Sequence, residues 1–233
     1  MIKAVLFDFD HTLYDRDASL AACAEPFMTI AADYLRNGIT RKEMAAYLCR
    51  ADREGVYCGA WKKSAALLAE YDIYKGEPLP YEIYTEQFSR GAFPKNIRLF
   101  DDTVPTLETL KTQGFRIGML TNGYVKYQWD KLNTVPEIHP YFEIIRVGEE
   151  LPHPKPHPRA FLAMSGAMGL MPHEIAFVGD NPVSDICGAR SVGMLPVWMR
   201  YLKEWPQEIT PPPYAIDRLS ELPVLLARIN GKD

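Results

Sequence analysis

The hydrophobic pattern opens with a short continuous apolar run, Val5, Leu6 and Phe7, that gives way at once to polar residues. A run of that length suits a strand buried on both faces. The period then changes. Across 19–37, Leu20, Cys23, Phe27, Ile30, Ala31, Tyr34 and Leu35 recur near helical spacing, with Gly38 as a stop. Thr40, with Glu43 three residues later, reads as a capping box opening a helix through about Arg53. The stretches 60–71 and 80–88 predict two further helices, and no strand alternation interrupts this region.

From Thr103 the rhythm alternates. A helix over 104–113 leads to a strand over 116–121, a helix over 125–132 and a strand over 142–147. After the proline-rich PHPKPHP come a helix over 159–169, a strand over 175–179, a helix from Asn181 through Ser191 and a strand over 195–199. A Pro-rich loop, a short edge strand over 214–216 and a closing helix complete the chain. The expectation is an α/β fold: a Rossmann-like, mostly parallel sheet with helices on both faces. Residues 1–15 and 100–233 form this core, and 16–99 an inserted all-helical domain.

Composition narrows the function class. The chain has 233 residues, 47% hydrophobic and 24% charged, ordinary values for a soluble globular protein. A net charge of −4 gives no general attraction to a nucleic-acid polymer or an anionic membrane. No apolar run approaches the ~20 residues of a bilayer span. MIKAVLF enters a strand without a signal-peptide layout, so a cytoplasmic location is expected. Cys23, Cys49, Cys58 and Cys187 lack CxxC spacing and read as reduced thiols. Nothing in the pattern sets an oligomeric state.

The chemistry collects at strand ends. Asp8 and Asp10 follow the first apolar run, and in extended chain they project to one side. Such a pair is either a strand entering an Asx-type turn or a site compensated by a cation, a shared proton or incoming chemistry. Thr121 and Asn122 end the strand RIGMLT, Lys155 lies between prolines, and IAFVGDNPVSD delivers Asp180 and Asp185. In the open sheets of this class, ligands lie outside the carboxyl ends of the strands. If a cation is the compensating partner, hard oxygen ligands suit Mg²⁺. Asp8 and Asp180 are the first candidates to hold it.

The order DFDHT, Thr121, Lys155, GDNPVSD resembles the four-motif signature of the haloacid dehalogenase superfamily, over residues 3 to about 200. The layout is similar to the phosphatase branch with a helical cap inserted after the first strand, which contains phosphoglycolate, nucleotide and sugar-phosphate phosphatases. What the resemblance implies is Mg²⁺-dependent hydrolysis of a small phosphorylated metabolite through an aspartyl-phosphate. Asp8 would be the nucleophile. Asp10 would be acid and then base, and would offer its backbone carbonyl to the metal. Thr121 and the N–H of Asn122 would hold phosphoryl oxygens, Lys155 would balance charge, and Asp185 would be a further ligand or hydrogen-bond to the ion's hydration shell. Asp10 argues against carbon–halogen cleavage, where a halide leaves without a proton. A phosphomutase is the alternative using the same motifs, and a non-catalytic binding module has no need of all six residues.

Other features carry less. Prolines 154, 156 and 158 deny His153 and His157 the helix that would pair them for zinc. His11 reads as a variable position, and Trp198, Tyr201 and Trp205 as packing. In the insertion Arg53, Tyr57, Trp61, Lys62 and Lys63 are candidates for substrate contact.

Overall fold

The computed structural model describes residues 1–55, 61–200 and 204–231. In chain order the elements are β1 (Ala4–Phe7), α1 (Arg16–Ala22), α2 (Ala24–Ile30), α3 (Arg41–Gly55), α4 (Trp61–Glu70) and α5 (Tyr81–Ile83). A π-helical stretch, Tyr84–Ala92, continues α5 into a 3₁₀ turn, Phe93–Asn96. Then follow α6 (Thr103–Thr112), β2 (Arg116–Thr121), α7 (Val125–Leu132), β3 (Ile144–Val147), α8 (Pro158–Ala167) and β4 (Ile175–Gly179). A π-helical turn, Pro182–Cys187, leads to α9 (Gly188–Ser191), β5 (Leu195–Met199), β6 (Tyr214–Ile216) and α10 (Leu222–Ile229).

The chain divides into two compact units, Met1–Tyr14 with Leu99–Asp233, and Asp15–Arg98. The first carries a six-stranded sheet in the order β3-β2-β1-β4-β5-β6, parallel throughout. The Rossmann-like fold expected from the alternating pattern is therefore the one observed. Strand β1 pairs with β2 on one side and β4 on the other, Phe7 facing both Met119 and Val178. One face buries Leu6, Leu120, Phe161, Met164 and Phe177 in a single cluster. Alternate residues Val5, Phe7, Ile117 and Met119 point the other way and are equally buried, as a sheet covered on both faces requires. The strand order reverses at β1, which places a crevice at the carboxyl ends of β1, β2 and β4.

The second unit is helical. The capping box is present: Glu43 N–H donates to Thr40 Oγ1 at 3.2 Å, and Thr40 N–H to Glu43 Oε2 at 2.8 Å. The single helix expected over 19–37 is instead two, α1 and α2, ending at Ile30. The break at Cys23 has a local cause, because Pro26 has no N–H for a continuous ladder and fits only a first turn. The helix expected over 80–88 runs on through the π-helical stretch to Asn96. Phe27 and Phe88 meet edge-on at 5.0 Å, and Trp61 and Phe93 at 4.9 Å. Arg16 and Asp52 form a buried ion pair at 2.8 Å, the guanidinium lying over Trp61 and Phe93.

Candidate active site

Strand β1 ends at Phe7, and the chain turns immediately. The Asp8 N–H donates to the Val178 carbonyl at 2.9 Å, the last strand-like bond. The N–H groups of Thr12 and Leu13 then both turn back to the Phe9 carbonyl, at 3.3 and 3.0 Å. His11, at φ 60°, takes the left-handed conformation of this turn, at a cost of order 1–3 kcal/mol. Asp8 and Asp10 therefore do not share one extended strand face, and their carboxylates meet different partners.

Asp8 enters a crowded group. Its carboxylate and those of Asp180 and Asp185, all buried, offer ligand oxygens within 4.8 Å of one another. Lys155 bridges two of them, its Nζ donating to Asp8 Oδ1 and Asp185 Oδ1 at 2.7 Å each. Its ammonium also lies over the Phe177 ring, 5.3 Å from the centroid. Three carboxylates with one ammonium leave these four groups with a formal excess of two negative charges. Burial pushes the Asp8 carboxyl up to about 7, against the pull of Lys155 and with the help of Asp185 and Asp10. Burial likewise raises Asp185, with Lys155 opposing and Asp180 adding to the rise. Burial alone would lower Lys155, but the Asp185 and Asp8 carboxylates outweigh it and raise it. An all-oxygen donor set with this charge excess fits a hard divalent cation of the Mg²⁺ kind.

Gly179 makes the group possible. A Cβ there would lie 2.5 Å from Cβ, Cγ and Oδ2 of Asp185, so the glycine leaves room for the carboxylate behind it. Asp185 Oδ2 accepts from the Asn181 N–H at 2.9 Å, and Trp198 donates its indole N–H to the Asp180 carbonyl at 2.9 Å. Trp198 thus packs against Trp205, as expected, and also ties down the backbone of the motif. Asn122 holds the Lys155 segment from the β2 side. Its Nδ2 donates to the Lys155 carbonyl at 2.8 Å and its Oδ1 accepts from the Lys155 N–H at 3.0 Å.

Asp10 sits in a second group that sequence reasoning missed. Lys131 Nζ donates to both its oxygens, at 2.6 and 2.7 Å, and Gln128 Nε2 to Oδ2 at 2.9 Å. The Tyr14 hydroxyl donates to Oδ1. Gln128 Nε2 also reaches Thr121 Oγ1 at 3.0 Å and the Asn122 carbonyl. Thr121 is buried, and its Oγ1 donates to the Asn122 carbonyl at 3.4 Å, a long contact. The overlooked signal was a polar pair at i, i+3, Gln128 and Lys131, beside Leu132 in the buried stripe of the helix after Thr121.

The remaining candidates are placed as follows. His153 and His157 meet without a helix, their rings stacked at 4.0 Å. Arg53 pairs with Asp17 on the surface of the helical unit, and Trp61 packs among Tyr84, Phe88 and Phe93. Lys62 and Lys63 are exposed. Tyr57, Cys58 and Tyr201 lie outside the described residues. Cys23, Cys49 and Cys187 are free thiols.

Comparison with known proteins fits this geometry. The family model described as haloacid dehalogenase-like hydrolase matches residues 2–193. A glyceraldehyde 3-phosphate phosphatase of Methanopyrus kandleri is 29% identical, over 95% of this chain and 96% of its own length. A phosphoglycolate phosphatase of Nitrosococcus oceani is 27% identical, over 97% of both chains. Among solved structures, the magnesium-bound HAD-hydrolase YfnB of Bacillus subtilis is 26% identical with a TM-score of 0.73, over 97% of this chain and 98% of that one.

Proposed function

We propose that this chain, which belongs to the haloacid dehalogenase-like hydrolase family, is a Mg²⁺-dependent phosphomonoesterase acting in the cytoplasm on a small phosphorylated metabolite through an aspartyl-phosphate. The observation that carries the reading is the buried cluster of Asp8, Asp180 and Asp185 with Lys155, at the point where the strand order reverses. The carboxylates of Asp8, Asp180 and Asp185 and the backbone carbonyl of Asp10 would hold the cation. When bound, Mg²⁺ neutralises the carboxylates and the phosphoryl oxygens beside them.

The residues divide the reaction between them. An Asp8 oxygen attacks phosphorus and the bond to the leaving oxygen breaks, while Asp10 gives that oxygen a proton. Water then attacks the aspartyl-phosphate, Asp10 takes its proton, the Asp8–phosphorus bond breaks and inorganic phosphate leaves. Each proton transfer of this kind is typically worth ~10²–10⁴ in rate. Lys155 keeps Asp8 aimed and offsets its charge. The Thr121 hydroxyl and the Asn122 N–H, at the end of β2, would receive phosphoryl oxygens, where fixed donors supply most of the catalysis.

Phosphorylated three- and two-carbon acids and aldehydes are the first substrates to test, given the activities named for the relatives. Residues 15–98 carry none of the four motifs, and we assign them the cap that selects among substrates. The test is phosphate release from a panel of phosphorylated metabolites with Mg²⁺ and with chelator. Release from at least one small monoester, abolished by chelation, is the expected result. No release from any member, or release undiminished in chelator, would overturn the reading.

A further inference from the structure

We propose that Lys131 and Gln128 are positioning residues for Asp10, holding its carboxylate in the orientation from which it serves the aspartyl-phosphate. The inference rests on the phosphomonoesterase reading above and adds to it a group outside the four motifs.

The geometry is specific. A carboxylate offers about four lone-pair directions. At Asp10 Oδ1 these meet Lys131 and Tyr14, and at Oδ2 they meet Lys131 and Gln128. The carboxylate is therefore fixed in rotation as well as in place, and the Tyr14 hydroxyl, which can turn and accept as well as donate, is the partner that can release a direction on Oδ1 for a proton. Lys131 is itself confined, its side chain 9% exposed with Nζ 5.6 Å from the Phe9 and Tyr14 ring centroids. Few other directions are open to that ammonium.

Gln128 adds a tether between strands. Its amide nitrogen faces three oxygens, on Asp10, Thr121 and Asn122, so only the N–H₂ end fits there. One buried amide thus references the Asp10 turn after β1 to the phosphate-binding end of β2. The two residues stand three apart on α7, on one face of the helix, so α7 presents both donors together. Misplacing a reacting group by about 1 Å costs ~10² in rate, and this clamp sets the Asp10 position on that scale.

The test is burst kinetics with 2,4-dinitrophenyl phosphate and Mg²⁺. Its leaving group needs no proton, so formation of the aspartyl-phosphate bypasses Asp10 while its hydrolysis does not. Lys131→Met is expected to keep a rapid burst of dinitrophenolate and to slow the following steady state by ~10², with KM little changed. Lys131→Arg, which restores a bidentate donor, should recover most of the steady-state rate. If Lys131→Met does not fold, Gln128→Leu, which removes one donor, reads the same quantity with a smaller slowing. Burst and steady state falling together, or neither changing, would overturn the inference while leaving the phosphomonoesterase reading intact. Wild-type protein that turns over neither the aryl phosphate nor any metabolite of the panel would overturn both.

Discussion

Two aspartates two residues apart, Asp8 and Asp10, end in opposite electrostatic circumstances. Asp8 joins two further carboxylates around a single ammonium, and those four groups are short of positive charge by two. Asp10 has a lysine against both its oxygens, plus a hydroxyl and an amide. The first region is built to be completed by something that arrives; the second is complete in itself. On the proposed mechanism, that difference would suit one carboxylate to taking a phosphoryl group and its neighbour to handling protons.

The largest effect expected is on the incomplete side. Chelation should abolish turnover and Mg²⁺ should restore it, and Asp180→Asn should lose activity without losing the fold seen by circular dichroism. Full activity in excess chelator would erase the contrast between the two regions.

Gly179→Ala should disturb the same side through shape alone. Its new Cβ would stand 2.5 Å from the Asp185 carboxylate, so Asp185 must move off Lys155. A fall of ~10² in kcat is expected from displacement on the ångström scale. Wild-type kinetics in this variant would show that the Lys155–Asp185 contact does not matter.

A smaller but sharper contrast lies in stability, measured by melting in chelator. Asp10→Asn leaves the confined Lys131 without its counter-charge and should cost ~1–3 kcal/mol. Asp8→Asn removes one of three crowded carboxylates and should cost nothing, or stabilise. The Asp8 carboxyl rises from its ordinary 3.8 to about 7 on folding, so its contribution is present at low pH and is lost as pH rises through about 7. Metal-free wild type should therefore lose stability relative to Asp8→Asn between about pH 4 and 7. An equal loss in both variants would mean that the two sites are electrostatically alike.

The apolar runs foretold the core closely: β2, β4 and β5 occupy the expected residues, because strands buried on both faces leave unbroken hydrophobic stretches, and the short edge strand β6 also lies where expected. The helical unit was less legible. The periodicity through 19–37 survived across Cys23 although the helix did not, since two short helices can share one apolar face. At the site, Asp8, Lys155, Asp180 and Asp185 were readable from order along the chain. Lys131 and Gln128 were not, because a lysine and a glutamine on an amphipathic helix look solvated. Only the turn after Phe7, which sets the Asp10 carboxylate against Lys131, brings α7 into play.

The division of labour between the two aspartates is tested most directly by acid quench with phosphoryl-labelled 2,4-dinitrophenyl phosphate. Asp10→Asn protein should trap acid-stable, hydroxylamine-sensitive label that maps to Asp8, because phosphorylation outlasts hydrolysis there. Asp8→Asn protein should trap none. Label persisting in the Asp8→Asn protein, or wild type and Asp10→Asn both remaining unlabelled while they turn over substrate, would contradict the account.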